Sequence, residues 1–179
     1  MTSALMKEKQ PDLISESYRE QNVQLHKLRT DFGSNGHRYA AQIRELANAM
    51  GTKEILDYGA GKRTLEDALV GFDVHSYDPA FPDIAGLPEP ADLVVCGDVL
   101  EHIEPEYLDA VLDDLQRVTK KCLFATIATR PAKKTLPDGR NTHLIQQDMT
   151  WWLPKIWSRF TLGSLHNLGG ELLVICGRK

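Results

Sequence analysis

Residues 54–64 read Glu54-Ile55-Leu56-Asp57-Tyr58-Gly59-Ala60-Gly61-Lys62-Arg63-Thr64: an apolar run, two closely spaced glycines, then a polar start. The run predicts a strand, the glycines a tight bend, and Thr64 to Val70 a short helix, the first strand, turn and helix of an α/β unit. Glycines at such a bend also let ligand atoms approach the backbone with no Cβ in the way.

Upstream, Leu13 to Leu28 carries Ile14, Tyr18, Leu25 and Leu28 at roughly helical spacing, which predicts a helix lying on a surface. Gly33 to Gly36 breaks the chain, and Ser34 or Asn35 is expected to cap a second helix from His37 to Met50, stopped by Gly51. Downstream, Phe72 to Tyr77 alternates as a second strand, and prolines at 79, 82, 88 and 90 exclude a regular helix from Pro79 to Pro90. Asp92 to Cys96 reads as a strand buried on both faces of a parallel sheet. Pro105 suits the first position of a helix whose Leu108, Val111, Leu112, Leu115 and Val118 form one apolar stripe. Cys122 to Ile127 is a further strand and Arg130 to Gln147 a long polar loop. Asp148 opens a helix with Trp151, Trp152, Leu153, Ile156 and Trp157, its regular part expected near Pro154. Thr161 to Leu168 and Leu172 to Cys176 flank Gly169-Gly170 as an antiparallel hairpin. The expected fold is α/β, mostly parallel, with an antiparallel C-terminal end.

The chain has 179 residues, which fits one domain with a small N-terminal elaboration. Its 42% hydrophobic and 26% charged residues exclude a disordered tail or a membrane protein as the default. A net charge of −4 weighs against indiscriminate DNA binding. With no apolar run long enough for a signal peptide or a span, a cytoplasmic protein is expected. Cys96, Cys122 and Cys176 form no CxxC pair and sit in strand-like runs, so reduced, buried thiols are expected.

Three ligand chemistries compete for the glycine turn. A phosphate-binding P-loop needs Ser or Thr after Gly61-Lys62 and an earlier glycine, where the chain has Arg63 and Leu56. A dinucleotide turn, GxGxxG, needs glycine where Thr64 stands. The third starts from Asp57, two residues before Gly59. Here the stretch resembles motif I of the class I S-adenosylmethionine-dependent methyltransferases, whose D-x-G-x-G turn is matched by Asp57, Gly59 and Gly61; many members carry a third glycine where this chain has Arg63. Asp78, ending the second strand, stands where the family holds the ribose hydroxyls with an acid. Ala91-Asp92-Leu93-Val94-Val95-Cys96-Gly97-Asp98-Val99-Leu100-Glu101-His102-Ile103 is similar to the fourth-strand signature of the small-molecule branch, which includes ubiquinone-biosynthesis enzymes.

The resemblance implies a Rossmann-like sheet and S-adenosylmethionine as cofactor, contacted by Asp57, Gly59, Ala60, Gly61, Asp78, Pro79, Asp83 and Asp98, with Asp83, Ile84 and Ala85 nearest the adenine. Members usually have a helix and a third strand between the ribose acid and the fourth strand. Only Pro79 to Pro90 is available here, so that third strand is expected to be short or missing. Residues 1–36 are expected to form a helical cap and 37–179 the methyltransferase domain. The implied activity is methyl transfer to oxygen or nitrogen of a small-molecule acceptor. The rivals are an RNA or other phosphate-rich polymer as acceptor, and a cofactor-binding subunit without turnover. DNA bases are disfavoured, because Cys96-Gly97-Asp98-Val99 stands where amino-methylating DNA enzymes carry N/D-P-P-Y.

Methyl transfer needs an oriented acceptor and a place for its proton. His102 and His143 are the candidate catalytic bases, with Asp98 and Glu101 nearby. Asp98-x-x-Glu101-His102 with the later His143 also resembles a divalent-metal arrangement of small-RNA and some quinone O-methyltransferases. Asp98 stands where that arrangement has Glu, and Glu-His here is common in this branch without a metal, so none is assigned. Arg130, Lys133, Lys134 and Arg140 concentrate positive charge in the loop expected to face the acceptor. Trp151, Trp152 and Trp157 are expected to pack on the sheet rather than line a pocket.

Overall fold

The computed structural model describes residues 12–29 and 32–179; residues 1–11, 30 and 31 of the expected 1–36 cap lie outside the described residues. Helix α1 (Glu16–Leu28) begins where Ser15 accepts the amide hydrogen of Tyr18. It buries Tyr18, Asn22 and Leu25, and Leu136 packs against Tyr18 and Leu25. Leu28, expected on the same face, is 71% exposed. Its place four residues after Gln24 turns it away, and Asn22 takes the buried position instead, donating to the carbonyl of Tyr18. The second predicted helix starts as a 3-10 turn, Gly36–Tyr39, before α2 (Ala40–Met50). Neither Ser34 nor Asn35 caps it: Asn35 occupies the cap position without a side-chain bond. Gly51 takes the left-handed conformation, φ 66°, that ends α2.

The glycine stretch folds as strand β1 (Glu54–Tyr58), a turn, and α3 (Thr64–Ala68); β2 is Asp73–Tyr77, β3 Ala91–Gly97 and β4 Thr119–Ala128. α4 (Leu108–Val118), preceded by a 3-10 turn at Pro105, lies between β3 and β4. α5 (Met149–Trp157) and the hairpin of β5 (Phe160–Asn167) and β6 (Glu171–Arg178) finish the chain. The sheet order is β2-β1-β3-β4-β6-β5, with β6 antiparallel to β4 and to β5 and every other pairing parallel. No strand forms between β2 and β3 among the described residues, so β2 is an edge and the expected third strand is missing. α5 begins at Met149, not near Pro154, because Asp148 accepts the amide hydrogens of Thr150 and Trp151 and so starts the helix early.

Strand alternation sends the core to both faces. Leu56, Val94, Cys96, Leu123 and Ala125 meet the apolar stripe of α4 together with Trp152 and Ile156 of α5. On the other face Ile55, Leu93, Val95 and Phe124 meet Ile43 and Ala47 of α2 and Leu65 and Leu69 around α3. Each such buried Leu or Ile stabilises the fold by about 1.5–3 kcal/mol. Trp152 is fully buried, whereas Trp157, expected on the same face, is 56% exposed. Cys96 and Cys176 are buried free thiols and Cys122 is half-buried and free. No helix among the described residues is long and apolar enough to cross a membrane. Three layers with parallel strands leave one consequence for function: the carboxyl ends of β1, β2, β3 and β4 open on the same edge, where α/β sheets bind ligands.

Candidate active site

That edge holds a cavity of about 440 Å³. One wall is the glycine turn. Gly59 and Ala60 donate their amide hydrogens to the carbonyl of Tyr77, at 2.8 and 3.0 Å, which ties the turn to the end of β2. Gly59 has φ 83° and Gly61 φ 53°, conformations that favour glycine. A Cβ on Gly59 would stand 2.3 Å from Val99, and one on Gly61 2.7 Å from the carbonyl oxygen of Gly33. The close approach at Gly61 therefore comes from the chain's own residues 33–36, whose Gly33 carbonyl also accepts from Lys62 at 2.9 Å. Arg63, where many family members have glycine, adopts φ 59°, the same left-handed backbone, and its guanidinium pairs with Asp83.

Asp78 accepts the amide hydrogens of Gly61 at 3.0 Å and Ala80 at 2.8 Å, one on each oxygen. Burial raises its pKa above the ordinary carboxylate value, and the two amides partly offset that. Asp57 is buried behind the turn, and its Oδ2 has no hydrogen-bond partner among the described residues. Loss of water, followed by the negative charges of Asp78 and Glu66, lifts it to about 7. An unpartnered carboxyl oxygen beside a turn that lines the cavity is a place for a cationic ligand group.

The opposite wall comes from the ends of β3 and β4. Asp98 has φ 55° and is locked by Thr126, whose hydroxyl donates to its carboxylate at 2.8 Å while the Asp98 amide donates back to Thr126. Glu101 is completely buried; one oxygen accepts from the amide of Ala128 at 2.9 Å and the other, Oε2, has no partner among the described residues. Removal from water, then repulsion from Asp98, raises it to about 8. His102 and His143 meet edge to face with ring centroids 4.8 Å apart. Their Nδ1 atoms lie 2.6 Å from the carbonyl oxygens of Thr142 and Arg130 respectively. A carbonyl only accepts, so Nδ1 carries a hydrogen in both rings, and in the neutral tautomer this fixes, the lone pair is on Nε2. Removal from water, then His143, lowers the His102 pKa to about 4, so its ring is neutral at pH 7.

Among the sequence candidates, Gly59, Ala60, Gly61, Asp78, Pro79, Asp98, His102 and His143 all line this cavity. Asp57 sits just behind the lining, and Asp83, Ile84 and Ala85 are outside it, Asp83 being turned out to Arg63. The tryptophans are outside it too. Sequence reasoning missed Tyr18 and Glu171. Tyr18 closes the cavity from α1 and donates to the carbonyl of His102 at 2.6 Å. Glu171 is buried at the start of β6, bonded to Arg38 at 2.6 Å and to the Tyr39 hydroxyl. An acid directly after Gly169-Gly170 in an otherwise apolar strand was the available signal.

A parallel sheet, a glycine turn with acids at the ends of β1 and β2, and one cavity at the carboxyl edge define the class of nucleotide-cofactor α/β enzymes. Residues 25–171 match the profile of a family described as a methyltransferase domain. The chain belongs to this family of class I S-adenosylmethionine-dependent methyltransferases. No curated protein matches it. Among solved structures it is similar to the 1,6-didemethyltoxoflavin-N1-methyltransferase of Burkholderia thailandensis, with bound 1,6-didemethyltoxoflavin and S-adenosylhomocysteine: TM-score 0.67, 15% identity, 90% of this chain and 87% of that one. The magnesium protoporphyrin IX methyltransferase of Synechocystis PCC 6803, with bound SAM, gives TM-score 0.59 at 14% identity, over 92% and 86%. An rRNA methylase from Escherichia coli gives 0.55 at 14%, over 93% and 78%.

Proposed function

We propose that this methyltransferase transfers a methyl group to oxygen or nitrogen of a small-molecule acceptor held between the glycine turn and the His102–His143 wall. One observation carries the reading: a single cavity of about 440 Å³ is lined by Asp78 and the glycine turn on one side and by the two imidazoles on the other. That volume lies in the range of small-ligand pockets, about 300–1,000 Å³. The cofactor residues fit the group: the unpartnered Asp57 oxygen suits an ammonium, and Asp78 still has lone pairs for ribose hydroxyls. Bound there, S-adenosylmethionine supplies an electrophilic methyl group on a sulfonium. This chain orients the acceptor, excludes water, and takes the acceptor's O–H or N–H proton on Nε2 of His102 or His143. Of the expected cap, the described residues 12–29 and 32–36 cover the cavity, since α1 lends Tyr18, Asn22 and His26 to the lining, and 37–179 act as the catalytic domain. Free cysteines fit a reducing, cytoplasmic setting.

The test is calorimetry with S-adenosylmethionine beside a methyl-transfer screen of purified small acceptors. Asp78→Ala is expected to weaken cofactor binding by about 100-fold, the loss of charge-assisted hydrogen bonds. His143→Ala is expected to leave that binding within twofold while lowering turnover on any acceptor found by about 10²–10⁴. Tight binding by Asp78→Ala would overturn the cofactor assignment. A phosphate-rich polymer is the second reading. Arg130 and Lys133 favour it: they line the cavity mouth and pair with no carboxylate among the described residues. Turnover on RNA but on no small acceptor would select it.

A further inference from the structure

The polar atoms left free on the acceptor wall are lone pairs. Nδ1 of each ring donates to the carbonyl of Thr142 or Arg130, which leaves Nε2 of His102 and Nε2 of His143 as acceptors in the neutral tautomer. Glu101 is completely buried, its Oε1 holding the amide of Ala128 and its Oε2 meeting no donor among the described residues. Hydrogens close by are already given to the backbone: the Tyr18 hydroxyl donates to the carbonyl of His102 and the Thr142 hydroxyl to that of Lys134. Glu101, His102 and His143 come from two segments, the 3-10 turn after β3 and the long loop after β4, and one nitrogen or oxygen of each lies within 4.8 Å of the others. A nitrogen with three hydrogens, bonded to three acceptors at about 2.8 Å and tetrahedral angles, sets those acceptors roughly 4.6 Å apart. That spacing is available here without any rearrangement of the fold. A hydroxyl group, with one hydrogen, would satisfy a single acceptor and leave the others bare, which is costly for a buried carboxylate oxygen.

We propose that Glu101, His102 and His143 form an ammonium-binding site, so that the acceptor is a small primary amine and the methylated atom its nitrogen. The inference rests on the reading of this cavity as the acceptor site, and narrows it from oxygen or nitrogen to nitrogen. Phe32 meets His102 edge to face with ring centroids 5.8 Å apart, and Ile14 and Ile103 line the same cavity, apolar surface for the body of such a molecule. Oε2 of Glu101 is closed to bulk water, so the entering group reaches it as the rings yield slightly. The ion pair it forms offsets the loss of water from both charges. An entering cation also favours the ionised form of Glu101, against the burial and the Asp98 charge that raise its pKa. In the reaction the ammonium gives one proton to Nε2 of His102 or His143. The freed electron pair on nitrogen forms the N–C bond while the S–C bond of the sulfonium breaks and its electrons stay on sulfur. The product ammonium has one hydrogen fewer than the substrate, so it fills two of the three acceptors, which favours release after a single methylation.

The experiment titrates a graded series of probes into the full-length protein saturated with S-adenosylhomocysteine, in the presence of a chelator, and follows binding by ligand-observed NMR. The probes are benzylamine, N-methylbenzylamine, N,N-dimethylbenzylamine and benzyl alcohol; as cations the three amines carry successively fewer N–H groups, and the alcohol has one O–H and no charge. At about pH 8.5 Glu101, at about 8, is mostly ionised and a simple alkylammonium keeps its charge. Benzylamine is expected to bind most tightly, each lost N–H weakening binding by about tenfold, and the alcohol to bind no better than the dimethylated amine. Glu101→Gln is expected to weaken benzylamine by at least about tenfold and to leave the alcohol within twofold. His75→Ala, on the edge strand outside the cavity, is expected to bind as wild type. Circular dichroism checks the fold of each variant; if Glu101→Gln does not fold, the series on the wild type decides alone. Equal affinity across the three amines overturns the proposal, as does an alcohol that binds as tightly as benzylamine. No saturable binding of benzylamine by protein that binds S-adenosylhomocysteine overturns it too. Failure to bind S-adenosylhomocysteine sinks the cofactor reading instead, and the same series titrated into the free protein then decides the ammonium site.

Discussion

The two walls of the cavity are built from different materials. The cofactor wall is local: Asp57, Gly59, Ala60 and Gly61 follow one another at the end of β1, and Asp78 arrives from the adjacent strand to accept from the Gly61 amide. Much of it is backbone. The acceptor wall is assembled from afar, with Glu101 and His102 after β3, His143 after β4, and Tyr18 reaching over from α1 to the His102 carbonyl. A local backbone wall tolerates few substitutions because conformation itself makes the site. A side-chain wall keeps its scaffold when one group changes, so its chemistry can vary on a constant fold.

The largest expected effect tests the first wall. Asp57 is held at about 7, against 3.8 for an ordinary aspartate, because it is out of water and faces Asp78 and Glu66. Between pH 4 and 7 the folded chain therefore binds a proton that the unfolded chain has lost. Stability contributed at low pH falls as pH rises through this window and is flat above it. The shift corresponds to on the order of 4 kcal/mol. Asp57→Asn is expected to flatten that part of the pH–stability curve and to be more stable than wild type at pH 8 without cofactor. Glu101 and Asp78 are raised as well, so the difference between wild type and Asp57→Asn, by urea unfolding at several pH values, is the measurement. Parallel curves would show that the turn wall stores no such charge. In the presence of cofactor the sign reverses: binding is expected to tighten as pH rises to about 7, with proton release visible in buffers of different ionisation enthalpy.

This contrast also governs what the sequence could reveal. β1, the glycine turn and the hairpin are local patterns, and their spacing survives in the fold almost unchanged. The missing third strand was readable because four prolines between 79 and 90 forbid regular structure. The acceptor wall was readable only as candidate types. His102 and His143 are far apart in the chain, and the carbonyls of Thr142 and Arg130, to which their rings are hydrogen-bonded, carry no side-chain signature. Leu28 and Trp157 were misplaced for a related reason: apolar residues at roughly helical spacing do not say which ones face the core. Asn22 and Glu171 are buried polar groups whose partners come from tertiary structure.

A middling effect is expected where the walls touch the N-terminal cap. Gly61→Ala places a Cβ 2.7 Å from the Gly33 carbonyl on a backbone with φ 53°. Either residues 33–36 move or the turn does, at about 1–2 kcal/mol for the left-handed alanine. Thermal unfolding and cofactor affinity should both worsen, the second more than in Gly51→Ala, where nothing lies within 4 Å of the added atom. Equal losses in the two variants would mean that backbone strain alone, and not the contact with Gly33, matters.

The smallest effect is expected at Arg63, the departure from the family's glycine pattern. Its left-handed backbone costs about 1 kcal/mol relative to a relaxed residue, and glycine would relieve it. Glycine also gives the unfolded chain more freedom, worth roughly 0.5–1 kcal/mol in the opposite direction. The ion pair with Asp83 is half-exposed and screened, so its loss adds at most a few tenths of a kcal/mol. The contributions nearly cancel, and Arg63→Gly is expected to change stability by less than about 0.5 kcal/mol. Cofactor affinity should stay within twofold, because Arg63 does not line the cavity. Arg63→Val, β-branched on the same backbone, is expected to lose about 1–2 kcal/mol. If valine were tolerated as well as glycine, the left-handed turn would not be what makes this wall, and its glycines would serve only the contacts with Val99 and Gly33.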